Sequence, residues 1–547
     1  MGPIIYCFLS SLFIIEPIIK VWFPDQAFSI PYFYGSTGVL LYGLQFHHNR
    51  PWQFSLTDIL LLALLLYNLT DILKYNYLPT VVSISAIYLL SKSLPDKYKI
   101  AYILIGSGIL QTFIMFLQWS GISPTDSFFT ITGSFDNPGP LGGYLAICFI
   151  ACVGNHQYIN RYLYIVCSLM LGGGLILSNS RAAWLSTLLA LLYMGVKYLH
   201  FNKIRQIMTF TTLIGVFAAL SLTIYKTDSA KGRLAIWRIS AEMIKEHPVF
   251  GKGLTSFRSD YMEYQADCLN KHPEAEKNKL LSNNGFAFNE FLRILYEQGT
   301  VGLLILLTII SLLILRGIRQ NSPFFPCLIV LAVFSFFSYP SEVLLLSIST
   351  VLVTGVLSDS KNIIVFGKDY SSQKVVTPIL CAFIIVITSW QWTENTRLEN
   401  ALSSYLYRND NKGVSYLSLH YSNIENNTDF LLRYARILYM KGEYASAIPT
   451  MEQAIRLYPT TDKYCELGDI YESLEQHEDA EQAYCHAIYL LPTRVYPHYC
   501  LFCLYKNIGQ NKKAIDKAYD IINLPPQKQN QHYVEIISQV KQYITNL

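Results

Sequence analysis

The run GTVGLLILLTIISLLILR, residues 299–316, carries no charge until its final arginine. A bilayer core takes about 20 mostly apolar residues of helix. Lipid offers no partners to backbone amides, so such a run crosses as a helix. Working outward from it, similar runs lie near 4–20, 27–46, 55–70, 77–92, 99–118, 138–154, 162–178, 182–199, 207–225, 323–339, 341–357 and 374–391. The expectation is an all-α polytopic membrane protein of about 12–13 spans, the lower figure holding if a short run stays out of the bilayer. The first run lacks a basic flank and a small-residue cleavage site, and is read as a retained span rather than a signal peptide.

Over 547 residues, 52% are hydrophobic and 15% charged. A soluble chain shows about 25% charge, so an ordinary soluble enzyme is excluded. Residues 1–225 hold 18 charged residues, or 8%, whereas 394–547 hold 33, or 21%. The chain is therefore divided into a transmembrane part, 1–392, and a soluble-like part, 393–547. The net charge of +4 is small. Without a basic tract or an Arg/aromatic patch, nucleic acid is not an expected partner; the bilayer is.

Short loops rich in Lys and Arg stay cytoplasmic. One alternating set holds Arg50; Lys92, Lys97 and Lys99; Arg161; Lys203 and Arg205; Arg316 and Arg319; Lys361, Lys368 and Lys374. The opposite short loops hold Lys20, Lys74 and Arg181. The long loop 226–287 and the C-terminal part then face outside, which in a bacterium with two membranes means an inner-membrane protein with a periplasmic tail. That loop carries ten of the chain's 42 Lys and Arg residues.

Residues 429–525 repeat with a period of 33–34. Ala447, Ala480 and Ala514 mark it, as do Pro459, Pro492 and Pro525, with Ala454, Ala487 and Ala518 in the second helix of each unit. Gly442, Leu474–Gln476 and Gly509–Gln510 mark the turns within units. The pattern resembles tetratricopeptide repeats, with Tyr434, Gly468 and Tyr471 where that pattern wants aromatic or small residues. Such arrays hold proteins or peptides, so a protein partner of the tail is expected. Cys500 and Cys503 have CxxC spacing but sit in a helical repeat without a second pair. No metal site and no cofactor are expected, and in an oxidising compartment a disulfide in the tail is chemically permitted.

Four segments break the lipid pattern, all on the expected outer side. GSFDNPGPLGGYLA, 133–146, reads as a turn and a helix start, with Asn137 as N-cap and Pro138 at the first helical position. SNSRAAW, 178–184, puts Arg181 at the end of one span and the start of the next. An intramembrane Arg costs at least about 2.5 kcal/mol unless it meets an anion, carbonyls or water. GRLAIWRISAEMIKEHPVFGKGLTSF, 232–257, places Arg233, Trp237, Ala241 and Ile244 on one face of an amphipathic helix, expected on the membrane surface. Pro248 ends that helix and Gly251 and Gly253 form a tight turn. FAFNEFLRILYEQGTVG, 286–302, places Glu290, Arg293 and Glu297 on one helical face, where intrahelical pairs form. Taken singly, each segment is accounted for by ordinary helix ends, interfacial anchors and solvated faces.

Together, residues 130–315 resemble the O-antigen ligase and polymerase superfamily of membrane glycan transferases. The family pattern of Asn/Ser/Gln, nine residues, Gly, two residues and Gly/Thr/Tyr is met by Asn289, Gly299 and Gly302. The S-R-A-A-W-L string resembles the family's arginine segment, and GRLAIW…HPVFGKGLTSF its long-loop motif. One departure matters: the family's His position is Phe288, which cannot move a proton. The resemblance implies transfer of a glycan from undecaprenyl diphosphate to an acceptor hydroxyl, of the lipid A core in a ligase, at the periplasmic face. A diphosphate leaving group calls for fixed cations more than for a strong acid, and Arg binds phosphate in planar, bidentate fashion. It implies Arg181 and Arg233 as that clamp, with Arg238 and Asn289 as further substrate contacts. Glu290, two residues from the missing His, is the expected base, with a raised pKa; Glu297, Asp136, His247 and His272 are less favoured. Alternatives are a polymerase joining repeat units, a protein O-oligosaccharyltransferase using the tail as docking platform, a transporter or flippase, and a non-catalytic membrane scaffold.

Overall fold

The computed structural model describes residues 2–46, 52–123, 129–198, 228–271, 281–358, 364–366, 370–408, 411–525 and 531–545. They are overwhelmingly helical; two three-residue strands, Trp52–Phe54 and Ile364–Phe366, pair antiparallel with Gln53 opposite Val365. Twelve of the thirteen expected runs lie on helices; the run 207–225 falls outside the described residues. By length and composition, four described helices are long and apolar enough to cross a membrane: Gly2–Trp22, Lys99–Trp119, Glu290–Arg319 and the 376–405 part of Tyr370–Arg408. Six more apolar helices are shorter, because turns such as the one at Asn68 interrupt the runs.

By packing, the chain forms two compact units. One comprises 1–224, 288–294 and 300–395; the other comprises 225–287, 295–299 and 396–547. The division before the tail falls between 395 and 396. The loop that the sequence grouped with the membrane helices packs instead with the tail.

The first unit is organised around Pro138–Gly154, most of whose side chains are buried. Helices in lipid gain little from hydrophobicity and associate through close packing of small residues. Gly142 and Gly143 supply that approach: a Cβ on Gly143 would lie 2.4 Å from the Phe334 ring, and one on Gly142 would lie 2.4 Å from Ser180. Elsewhere in this unit the Asp58 carboxylate is held by Ser55, Tyr88 and Lys92, with Tyr88 also bonded to Ser358.

In the second unit the repeats are paired helices: Thr428–Met440 with Tyr444–Leu457, Thr461–Ser473 with His477–Leu490, and Val495–Asn507 with Asn511–Asn523. Ala447, Ala480, Ala514, Ala454, Ala487 and Ala518 are all fully buried, as their spacing predicts. Each first helix ends on a left-handed residue: Gly442, Glu475 and Gly509. The next amide returns to a carbonyl five residues back, as Gln476 N does to Tyr471 O at 2.9 Å. That is the helix stop that favours glycine. In the middle repeat Glu475 adopts it without glycine. Gln531–Thr545 packs on the last pair, covering its apolar edge through Ile536 and Val540.

Candidate functional site

The first two segments form one structure. Asn137 caps Pro138–Gly154, its Oδ1 accepting from Gly139 N at 2.8 Å. Ser180 Oγ donates to Gly139 O at 3.2 Å, tying 178–184 to this cap. Asn179 takes φ +50, the left-handed conformation in which asparagine is tolerated, and Arg181 opens the helix Arg181–Tyr198 with an exposed side chain. Trp184 Nε1 donates to Leu175 O at 2.8 Å and locks the corner. Two glutamines of Lys99–Trp119 hold the approach to the cap. Gln118 Oε1 accepts from Thr132 N and Gly133 N at 2.9 and 2.8 Å, and its Nε2 donates to Gly133 O. Gln111 bonds Ser134 at both amide atoms. Asp136 is exposed and 3.3 Å from Lys20.

The start of the fourth segment is equally committed. Asn289 is the N-cap, its Oδ1 accepting from Phe291 N at 3.0 Å and Leu292 N at 3.2 Å. Phe288 stands just before it at φ +48, with its ring edge-on to Tyr339 at 5.4 Å between centroids. A bulky side chain in the left-handed region is unusual. The family's His position is thus a distinctive backbone position here even without the imidazole. Glu290 is buried. One carboxylate oxygen accepts from Arg293 Nε and Nη2 at 3.0 and 2.8 Å; the other accepts from Ser341 N and Oγ at 2.9 and 2.6 Å. Arg293 also reaches Ser341 Oγ at 2.7 Å and Glu342 at 3.1 Å. Four donor atoms, two on the Arg293 guanidinium and two on Ser341, occupy both carboxylate oxygens and leave few lone pairs for an acceptor proton, which is not the open carboxyl expected of a base.

The third segment differs from the sequence reading in its face. The helix Asp228–Ile244 buries Gly232, Ile236, Ile239, Ser240 and Met243, with Met243 fully enclosed. This face is offset from the Arg233–Trp237–Ala241–Ile244 stripe, and the helix packs on Ser256–Lys271. Arg233 and Trp237 are half-buried at its margin, and Arg238 is exposed. The helix stops at Ile244, before Pro248. His247 is exposed, and its carbonyl accepts from Gly251 N at 3.1 Å. His272 lies outside the described residues.

The Gly-Lys-Gly turn then meets the end of the 290–298 helical stretch. Lys252 N donates to Tyr296 O at 3.0 Å and Gly253 N to Glu297 O at 2.8 Å. These carbonyls are released by the break at Gly299, whose φ of +65 and ψ of −169 interrupt the helix. The turn therefore caps a helix end inside the fourth segment. Asp260 of Ser256–Lys271 closes the arrangement, accepting from Tyr296 OH at 2.5 Å and pairing with Lys252 at 2.7 Å. Glu297 is buried beside this junction.

Of these elements, the sequence pointed to the arginines, the glycines and the caps. It missed Gln111, Gln118, Ser341 and Asp260. The glutamines had a signal, two amides seven residues apart on one face of an apolar run. Ser341 and Asp260 had none, since their partners are far away in sequence. Among the described residues no group of three or more His, Cys, Asp or Glu side chains is placed to hold a metal ion.

Two family models match parts of the chain. Residues 165–307 match the family model described as O-antigen ligase. Residues 428–461 and 464–493 match a tetratricopeptide repeat model. The first match contains Arg181, Arg233, Arg238, Asn289 and Glu290. No curated protein matches the chain.

Proposed function

We propose that this chain, an O-antigen ligase region joined to tetratricopeptide repeats, moves a glycan from a polyprenyl diphosphate carrier to an acceptor hydroxyl at the outer face of a bacterial inner membrane. The observation that carries the reading is the fusion of the motif segments. The loop's G-x-G turn caps the carbonyls of Tyr296 and Glu297, inside the region matched to O-antigen ligase. Motifs held by backbone hydrogen bonds have the rigidity that fixed electrostatic stabilisation needs.

In the proposed reaction the acceptor oxygen forms a bond to the anomeric carbon, and the bond from that carbon to the carrier diphosphate breaks. The diphosphate leaves with the electron pair. Arg181 and Arg233 are proposed to hold it, with Arg238 as an outer contact; each charged hydrogen bond contributes about 1.5–3 kcal/mol. Glu290 is proposed as a positioning residue that holds Arg293 and the Ser341 corner, and Asn289 as the cap that aims this helix start. With Phe288 in the His position, the departing diphosphate is the proposed recipient of the acceptor proton.

The acceptor proposed is the lipid A core, with the tail in the periplasm. Purified protein given an undecaprenyl-diphosphate glycan tests transfer itself. A deletion strain tests the acceptor. Loss of all capped lipid A indicates ligation; a single repeat unit on lipid A indicates polymerisation. Under-glycosylated secreted proteins with normal lipopolysaccharide indicate protein transfer. A normal profile in every fraction sinks the proposal.

A further inference from the structure

A repeat array of this kind reads from sequence as a platform for another protein. The structure places a segment of the same chain on it. The helix Ser256–Lys271 packs against Tyr444–Leu457 and His477–Leu490, the second helices of two successive repeats. His486 Nε2 lies 3.0 Å from Glu263 Oε1, Asn270 Nδ2 donates to Tyr489 O at 3.1 Å, and Tyr489 OH donates to Asp267. The returning segment of the loop adds a second contact at the junction between those repeats. Asn283 Nδ2 donates to Thr461 Oγ1 at 2.9 Å and Asp462 Oδ2 at 3.1 Å, while its Oδ1 accepts from Thr461 N at 3.2 Å. The Arg258 guanidinium lies 4.7 Å from the Tyr458 ring centroid and 5.7 Å from that of Phe286. Gly285 lets the loop backbone close on Tyr458, whose ring atom would lie 2.9 Å from an added Cβ.

The same loop helix carries the groups that hold the G-x-G turn. Asp260, two residues after Arg258 and three before Glu263, binds both Tyr296 and Lys252. Phe257 and Tyr261 are buried against each other, and Phe257 meets Tyr296 edge-on at 6.0 Å. One continuous path of contacts therefore joins the repeats to the turn and to the Arg233 helix that packs on Ser256–Lys271. Asn283 and Tyr458 form the repeat end of this path and are not among the residues proposed to bind donor.

We propose that the second-helix face of the repeat array is an intramolecular docking surface whose occupant is the chain's own loop, and that it acts as a clamp setting the position of Arg233 and Arg238. The occupant is identified by paired chemistry at five places: amide to hydroxyl and carboxylate, guanidinium to phenol ring, imidazole to carboxylate, phenol to carboxylate and amide to carbonyl. The role in transfer rests on the function proposed above; the clamp itself does not.

The test uses the full chain in nanodiscs with two variants, Tyr458→Ala on the repeats and Asn283→Ala on the loop, and Tyr458→Phe as the conservative control. Hydrogen exchange reads the loop helix 256–271 and, separately, the repeat helix 461–473. Transfer is read with an undecaprenyl-diphosphate glycan. Both alanine variants are expected to raise exchange in 256–271 about tenfold, a local opening, while 464–473 keeps its protection. The KM for donor is expected to rise more than that for acceptor. Tyr458→Phe keeps the ring under Arg258 and is expected to leave exchange and transfer unchanged. Unchanged exchange in 256–271 in both alanine variants overturns the clamp. Raised exchange with wild-type transfer overturns its role in positioning. If the wild-type chain transfers nothing, the proposed function falls, and the exchange comparison still decides the clamp.

Discussion

A Cβ added to Gly299 would lie 2.1 Å from the carbonyl oxygen of Val249. The two backbones meet where the loop turn caps the broken helix, and neither can retreat. On the loop side, Gly251 faces the peptide between Glu297 and Gln298, where a Cβ would lie 2.4 Å from three backbone atoms. Glycine spacing that the sequence presented as a pattern is here a mutual fit between two chain segments.

Gly299→Ala is therefore expected to break the junction. The φ of +65 with ψ of −169 belongs to a region open essentially to glycine, costing about 1–3 kcal/mol for other residues. The clash with Val249 adds to this, since backbone cannot yield as a side chain does. Hydrogen exchange at 249–253 should rise strongly and transfer should fall at least tenfold. Wild-type exchange in this variant would contradict the packing.

Arg181 is exposed at the start of its helix, so its replacement should spare the fold. Arg181→Ala is expected to lower kcat/KM for the donor by about a hundredfold or more, the scale of losing one transition-state donor. Arg181→Lys should recover only part, because an ammonium lacks the bidentate fork. A melting temperature equal to wild type, measured beside the kinetics, separates lost chemistry from lost structure.

Glu290→Gln distinguishes an anchor from a base. The variant presents an NH2 where Arg293 expects an anion, leaving a mostly buried cation short of a partner, which costs about 1–3 kcal/mol. The melting temperature and kcat should both fall. The pH–rate profile should keep the wild-type shape, because no proton passes through an anchoring carboxylate. Disappearance of the acidic limb of the profile, with stability retained, would make Glu290 the base instead.

Lys463 gives a pH prediction for the repeats. Its ammonium is buried, donates to Tyr458 O at 2.6 Å and lies 4.4 Å from the Tyr458 ring. Burial first, and then the Arg258 charge, push its pKa down from 10.5 to about 8. The unfolded chain thus binds more protons between pH 8 and 10.5, so stability rises with pH across that window. The burdened, charged form is fully present below pH 8. Its cost is on the order of 3 kcal/mol. Between pH 7.5 and 10, the opening free energy of helix 461–473 should rise in wild type and stay flatter in Lys463→Met. Parallel pH profiles for the two chains would refute the assignment.

The helical runs and the repeat period were legible in the sequence because both are local patterns. Ala447, Ala480 and Ala514 show the repeat period by themselves, and all three are buried. The caps Asn137 and Asn289 were legible for the same reason, since a cap and its helix are neighbours in sequence. The loop helix was legible as a helix but not in its face. Met243 and Ile236 are buried because Ser256–Lys271 covers them, and nothing within 232–244 specifies that partner.

Periodicity and residue chemistry therefore determined an all-helical membrane chain with a repeat tail, and the family resemblance marked Arg181, Arg233 and Gly299. Only the tertiary structure decided what these residues do to one another. It joined the loop to the repeats through Asn283 and Tyr458 and placed the G-x-G turn on Tyr296 and Glu297. It also bound both oxygens of Glu290 to Arg293 and Ser341. Helix and repeat patterns arise from contacts between near neighbours, which sequence spacing encodes. A carboxylate's availability, or the occupant of a repeat face, depends on groups tens to hundreds of residues away, and only folding brings those together.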